Sequence, residues 1–266
     1  MLVKNSLVIG ALFFSSASQA EKIEIKKMES ILPKIEQDTL VIFDIDNTIL
    51  EPTQMLGSDQ WYGYRLKFHL DAGLSTDKAI DIALSEWIKV QLKTPVQAVE
   101  KSTPKIIKNL QKKNITVMAL TARPIELQKA TELQLRSVGV DLRGSQVLGA
   151  RDVDVEGEHP SLFKHGSLFV GPKNNKGEVL VKFLEQINYH PQRIVFIDDK
   201  EKHILNVGDA LKELKLSYIG FRYGATDKYV ADFDKITANT QHRHFEKTGE
   251  FLSDEAAKSL TEESKK

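Results

Sequence analysis

Leu40-Val41-Ile42-Phe43-Asp44-Ile45-Asp46-Asn47-Thr48-Ile49-Leu50 is the stretch on which the fold turns. Four consecutive large apolar residues are the pattern of a strand buried on both faces, as in a parallel sheet covered by helices. Two aspartates and a threonine then follow at every second position, where the pattern changes from strand to turn. In α/β folds ligands bind outside the carboxyl ends of such strands, so Asp44 and Asp46 are expected to face a site. A buried carboxylate must be paired, protonated or metal-bound, because an isolated charge is very costly to desolvate. Two together call for a cation. The plainer reading is that both aspartates only shape a turn, a position Asp and Asn favour.

Two further apolar runs end in polar chemistry. Ile115-Thr116-Val117-Met118-Ala119-Leu120 leads into Thr121-Ala122-Arg123-Pro124, and a helix is expected over 124–138. Thr121 can offer its hydroxyl, and the N–H groups at the start of that helix attract anions. A simple helix cap is the alternative. Arg193-Ile194-Val195-Phe196-Ile197 ends in Asp198-Asp199. Adjacent acids at the end of a buried strand repel one another, which again calls for a cation. Before this strand, Lys176 stands just ahead of a helix expected over 178–187. A lysine there opposes the helix dipole unless an anion lies nearby. Lys173 competes for the same role, and simple solvation is the alternative for both.

Between the first and second runs, two amphipathic helices are expected over 60–70 and 76–92, with Ile80, Ala83, Leu84, Trp87, Ile88 and Leu92 at three-to-four spacing. They form a small helical cap inserted after the first strand. Trp61, Tyr62, Tyr64 and Arg65 are its candidates for contact with a ligand, against the alternative of packing. Thr103-Pro104 starts a helix to 113, with Thr as its cap. A β-hairpin is expected around 161–170, turning at Lys164-His165-Gly166, and His159 and His165 read as surface residues. A helix over 201–214 and a strand over 217–221 complete the alternation. The charged C-terminal end carries His242-Arg243-His244, read as a solvated face.

The order Asp44-x-Asp46-x-Thr48, Thr121, Lys176, Asp198-Asp199 resembles the four motifs of the haloacid dehalogenase (HAD) superfamily, over most of residues 21–266. The chain is similar in design to secreted bacterial acid phosphatases of that superfamily. It looks closer still to a little-characterised branch of secreted HAD-like proteins that carry Gly57-Ser58-Asp59-Gln60-Trp61 after the first motif. It departs from the best-known periplasmic class in having adjacent rather than spaced acids in the last motif. The resemblance implies an α/β, Rossmann-like parallel sheet with helices on both faces. The cap spans about 51–100 and the β-hairpin insertion about 140–172. It also implies Asp44 as nucleophile and Asp46 as general acid and base, with Thr121 and Lys176 holding the phosphoryl group. Mg²⁺ would be bound by Asp44, the Asp46 backbone carbonyl, Asp198 and Asp199. The second aspartate suits protonation of an oxygen leaving group, which favours a phosphomonoesterase acting on a small phosphorylated substrate over a dehalogenase. A phosphotransferase and a phosphate-ligand or protein-binding module are the alternatives.

Residues 1–20 have a charged start, an apolar centre over 7–14 and small residues ending in Ser18-Gln19-Ala20. This is the layout of a secretory signal peptide cleaved after Ala20, and periplasmic or secreted placement is expected. The apolar centre falls short of the about 20 residues a membrane span needs, and no other run reaches it. The chain has no cysteine, and Lys+Arg and Asp+Glu are equal at 37 each. A non-specific nucleic-acid binder needs a basic surplus, so no nucleic-acid partner is expected.

Overall fold

The computed structural model describes residues 21–143, 147, 151–214 and 216–263. The expected signal peptide lies outside them. In chain order the strands and helices are β1 (Glu21–Ile25), β2 (Thr39–Phe43), β3 (Leu50–Pro52), α1 (Asp59–Asp71), α2 (Thr76–Gln91), β4 (Val96–Ala98), α3 (Thr103–Lys112), β5 (Thr116–Thr121) and α4 (Gln128–Ser137). They continue with β6 (Val153–Val155), β7 (Ser161–Lys164), β8 (Ser167–Phe169), α5 (Lys176–Gln186), β9 (Arg193–Asp198), α6 (Glu201–Leu211), β10 (Ser217–Tyr223), α7 (Asp227–Ala231), α8 (Lys235–Thr248) and α9 (Asp254–Glu263).

Eight strands form one sheet in the order β1-β10-β9-β2-β5-β8-β7-β6. The first six are parallel, and β7 and β6 add an antiparallel edge. All five residues of β2 are buried, as its apolar run requires. Successive side chains of a strand point to opposite faces. Val41 and Phe43 therefore enter one core with Ile106, Ile107 and Leu110 of α3, while Leu40 and Ile42 enter the other with Leu180 and Phe183 of α5 and Val207 of α6. Helices thus cover both faces. Each of these side chains contributes roughly 1.5–3 kcal/mol by leaving water.

The chain moves from β2 to β5 and β8 on one side, then crosses to β9 and β10 on the other. Such a reversal opens a crevice at the carboxyl ends of the central strands. The strongest polar motifs of the sequence lie there.

The insertion after β2 rises on a two-stranded antiparallel ribbon, β3 with β4. α1 and α2 pack against each other above it, but they do not close their own core. Met55, Leu56, Trp61, Trp87 and Val90 are buried together with Ala238 and Phe245 of α8. The Gln241 amide accepts from Leu56 N (2.9 Å) and donates to Asp254 (2.7 Å), which accepts from Met55 N (2.9 Å). The C-terminal end is therefore a wall of the cap rather than a solvated tail. His242 meets the Trp61 ring edge-on at 5.1 Å and its side chain is only 21% exposed.

Other departures are local. α3 begins at Thr103 with Ser102 in the cap position, one residue earlier than the Thr103 cap expected. The helix after Pro124 opens with a 3-10 turn, Ile125–Leu127, before α4. Leu92 of the expected cap stripe is exposed because α2 has ended at Gln91. The β7–β8 hairpin turns at His165 (φ 49°) and Gly166 (φ 81°), both left-handed as a tight two-residue turn needs. β1 was hidden in the sequence because its edge position lets Glu21, Lys22 and Glu24 face solvent.

Candidate active site

Asp44 follows the last residue of β2, and its backbone N–H donates to Ile197 O at 2.8 Å, extending the ladder between β2 and β9. Asp198 ends β9 and Asp199 follows. One carboxylate oxygen from each of Asp44, Asp198 and Asp199 lies within 4.8 Å of the others, and all three residues are buried. Lys176, at the start of α5 and 3% exposed, donates to Asp44 Oδ1 (2.6 Å) and Asp198 Oδ2 (2.8 Å). The same Lys176 ammonium therefore ties two strand ends. Lys173 instead pairs with Asp81 of α2 at 2.7 Å.

Asp198 also accepts from Lys200 N (2.7 Å) and from His203 Nδ1 (3.0 Å). A carboxylate only accepts, so Nδ1 is the protonated nitrogen of that ring. Asp199 accepts from Asn47 Nδ2 at 3.3 Å. Asn47 is left-handed (φ 59°), a conformation that asparagine tolerates, and this bends the chain after Asp46. Its carbonyl accepts from Thr226 Oγ1 at 3.1 Å, while Arg222 Nε donates to Asp199 O at 3.0 Å. The end of β10 and the loop behind it thus support both acid-bearing turns.

The charges are unequal. Burial lifts the Asp44 carboxyl to about 7; Lys176 opposes this and Asp198 adds to it. Burial, with Asp198 and Asp44 beside it, pushes Asp199 well above the usual carboxylate range. Burial would raise Asp198 too, but Lys176 and His203 outweigh it and hold this carboxyl well below that range. One lysine does not balance three buried carboxylates. The donor set consists of hard oxygens, which fits a hard divalent cation such as Mg²⁺ or Ca²⁺.

Asp46 turns away from this cluster. Arg123 grips it with two bonds of 2.8 Å, and its Nη1 donates to Thr131 Oγ1 (2.9 Å) and Gln134 Oε1 (2.6 Å). Gln134 in turn donates to the carbonyls of Gln91 (3.2 Å) and Thr94 (3.0 Å) at the end of the cap. Arg123 is 1% exposed and stacks over the Trp87 ring at 5.7 Å. Thr121, at the end of β5, is buried, and its hydroxyl accepts from Arg123 N at 3.1 Å.

A cleft of about 200 Å³ opens between cap and sheet beside Asp46. Tyr62, Leu66, Ile80, Leu84 and Trp87 line it from the cap; Arg123, Lys200 and His203 line it from the sheet. Ile80 and Leu84 are half-buried because they form this wall. Of the four cap residues singled out in the sequence, Tyr62 alone lines the cleft. Trp61 packs against His242, Tyr64 accepts from Asn239, and Arg65 pairs with Glu86 through two bonds of 2.7 Å. His165 pairs with Glu132 at 2.9 Å, far from the acid cluster in the fold.

Sequence reading assigned no role to Arg123, His203, Asn47 or Lys200. Arg123 carried a usable signal, since a charged residue directly behind a buried strand end has to find a partner. His203 carried none, because it faces Asp198 only once α6 has folded.

The site is therefore that of an α/β protein with three buried carboxylates at the sheet's crevice and a helical cap above them. The chain belongs to the family described as "Protein of unknown function (DUF2608)", whose model matches residues 22–258. It is 26% identical to a protein of Chlamydia pneumoniae over 92% of this chain and 90% of that one. It is also 26% identical to a protein of Chlamydia trachomatis serovar D over 93% and 92%. Both relatives are named "Putative outer membrane protein". An uncharacterized Rickettsia prowazekii protein is 25% identical over 94% and 93%. Among solved structures, the class C acid phosphatase from Bacillus anthracis with tungstate bound aligns at 17% identity, covering 82% of this chain and 83% of that one. The two align with a TM-score of 0.34. Among the described residues, no helix is long and apolar enough to cross a membrane.

Proposed function

We propose that this protein is a HAD-type, Mg²⁺-dependent phosphomonoesterase of small phosphate esters, with Asp44 as its nucleophile. The observation that carries the reading is the grouping of Asp44, Asp198 and Asp199, the first two tied by Lys176, with Asp46 facing the cleft beside them. Asp44, Asp198, Asp199 and the Asp46 carbonyl would hold the ion. When bound, Mg²⁺ supplies the positive charge that lets an anionic nucleophile meet an anionic phosphate.

In the first half-reaction an Asp44 carboxylate oxygen attacks phosphorus, the bond from phosphorus to the ester oxygen breaks, and Asp46 gives its proton to the departing alkoxide. Water then attacks the aspartyl-phosphate, losing a proton to Asp46. The acyl oxygen–phosphorus bond breaks and Asp44 is restored. With both oxygens held by Arg123, Asp46 is a carboxylate ready to take the proton of the attacking water. For the first half-reaction it must enter protonated, with one of those two bonds released so that the freed oxygen carries the proton to the leaving group. Among the described residues the Thr121 hydroxyl accepts from Arg123 N and donates to no group, which leaves its O–H to a phosphoryl oxygen. Lys176 balances charge as it moves between nucleophile and phosphoryl group.

Residues 21–266 would form this hydrolase unit, delivered to the periplasm or beyond by residues 1–20. The name of the chlamydial relatives refers to an outer membrane, which supports export. The test is release of inorganic phosphate from a panel of phosphomonoesters with Mg²⁺, with EDTA, and with Asp44→Asn. Turnover that needs the metal and vanishes in the variant is expected. Folded, Mg²⁺-binding protein without turnover on any ester would assign the site to ligand binding instead.

A further inference from the structure

Lys101, Lys105, Lys108, Lys112 and Lys113 run along α3 and its flanks, and all five are exposed. No Asp or Glu occurs between residues 101 and 125, in a chain whose formal net charge is zero. Among the described residues, none of the five ammonium groups has an ion-pair partner. Other helices do supply partners. Lys67 meets Asp71 four residues on, Lys228 meets Asp232, and Lys212 meets Asp209. On α3 the residues three and four positions along are more lysines, an arrangement that disfavours a helix. Lys101 and Lys105 also stand at the positive end of its dipole.

The row cannot turn inward. Ile106, Ile107 and Leu110 anchor the other side of α3 in the core. Lys26 and Lys27, both exposed and without an ion-pair partner among the described residues, precede the 3-10 turn Met28–Lys34 that packs on α3. The exposed acids of that neighbouring segment are Glu29, Glu36 and Asp38, and Glu36 is taken by Arg193.

From this row we infer a docking face for an anionic phospholipid bilayer. A negatively charged membrane surface attracts each lysine near it, and the contributions accumulate. The residue choice separates this partner from other polyanions. The row has no arginine, whose planar fork reads phosphate or carboxylate in pairs. It has no aromatic residue on which bases could stack, and a convex helix offers no groove to follow a nucleic-acid strand. Long flexible lysines on a convex face suit a broad, laterally mobile array of head groups. The inference is independent of the proposed chemistry, since none of these lysines lines the cleft.

The test is co-sedimentation of the protein with phosphatidylcholine vesicles and with vesicles in which part of the lipid is phosphatidylglycerol. Binding to the anionic vesicles alone is expected, weakening as salt shortens the Debye length below about 8 Å. The triple variant Lys105→Glu/Lys108→Glu/Lys112→Glu should bind about tenfold or more weakly while its thermal midpoint is retained. The corresponding triple Gln variant, which removes charge without reversing it, should fall between the two. It decides the matter if the Glu variant does not fold. Equal binding to both vesicle types, or binding unchanged by the substitutions, would overturn the proposal. So would tighter, substitution-sensitive binding to DNA or an acidic protein than to the vesicles.

Discussion

Replacing Asp44 with Asn keeps its volume and an oxygen for Lys176 but removes the negative charge that would attack phosphorus. Turnover is expected to fall about 10³-fold or more, as when a residue acting within a catalytic unit is lost. Burial already resists ionisation of Asp44, so the fold should tolerate the change. A thermal melt of Asp44→Asn should lie close to that of the parent. Arg123 is different. Its guanidinium satisfies Asp46, Thr131 and Gln134 at once, and Arg123→Met would leave three polar partners inside the protein. The loss is expected to reach about 3–5 kcal/mol, because one side of a buried ion pair is removed. Urea unfolding would measure it. Arg123→Lys should not restore the parent value, since lysine has no planar fork for a two-bond grip.

At the scale of elements, Lys176 owes its place to the close approach of α5 and α6. A Cβ on Gly177 would lie 2.4 Å from Asn206 O and 2.8 Å from the Ala210 Cβ. Gly177→Ala must therefore push the two helices apart. A cost of about 1–3 kcal/mol is expected, as for other overpacked contacts. Because Lys176 is the neighbouring residue, phosphate release should fall as well. Denaturant titration and a steady-state assay on the same variant would show the two losses together. A stability loss with full activity would mean that Lys176 keeps its contacts when the helices shift. The cap obeys a similar constraint at Gly57, where the backbone is left-handed (φ 85°) and a Cβ would meet Thr94 Oγ1 at 2.6 Å.

For the molecule as a whole, the cap is built from two segments far apart in the chain, α1 and α2 with α8. Removing residues 235–266 would uncover Met55, Leu56, Trp61 and Trp87, which α8 helps to bury. The shortened protein is expected to lose its cooperative unfolding transition or unfold at a much lower temperature, read by circular dichroism and tryptophan fluorescence. Metal binding should act in the other direction. At a Mg²⁺ concentration about a hundredfold above its dissociation constant, the folded state should gain roughly 2.7 kcal/mol. Asp198→Asn should abolish that gain, measured as the Mg²⁺-dependent rise in thermal midpoint. A gain that survives the substitution would place the ion elsewhere.

The sequence by itself determined the central strands, because β2, β5 and β9 are continuous apolar runs that only a sheet buried on both faces can accommodate. It also gave the end of each strand its polar residue, and so the parts of the site, since a charge beside such a run has to face a crevice. Helix periodicity located α1, α2 and α6, and Lys164-His165-Gly166 marked the hairpin turn. What the tertiary structure decided is how these parts meet. Asp46 turns to Arg123 and away from the other acids because α4 and the cap supply the partners that fix that guanidinium. His203 joins Asp198 across a helix turn. Lys176 reaches Asp44 across 132 residues of sequence. The C-terminal helices complete the cap because the apolar stripe on α1 and α2 needs a third surface to cover it. Local pattern records which residues must leave water. Which neighbour each of them finds depends on contacts between segments far apart in the chain, and those form only when the sheet and its cap close together.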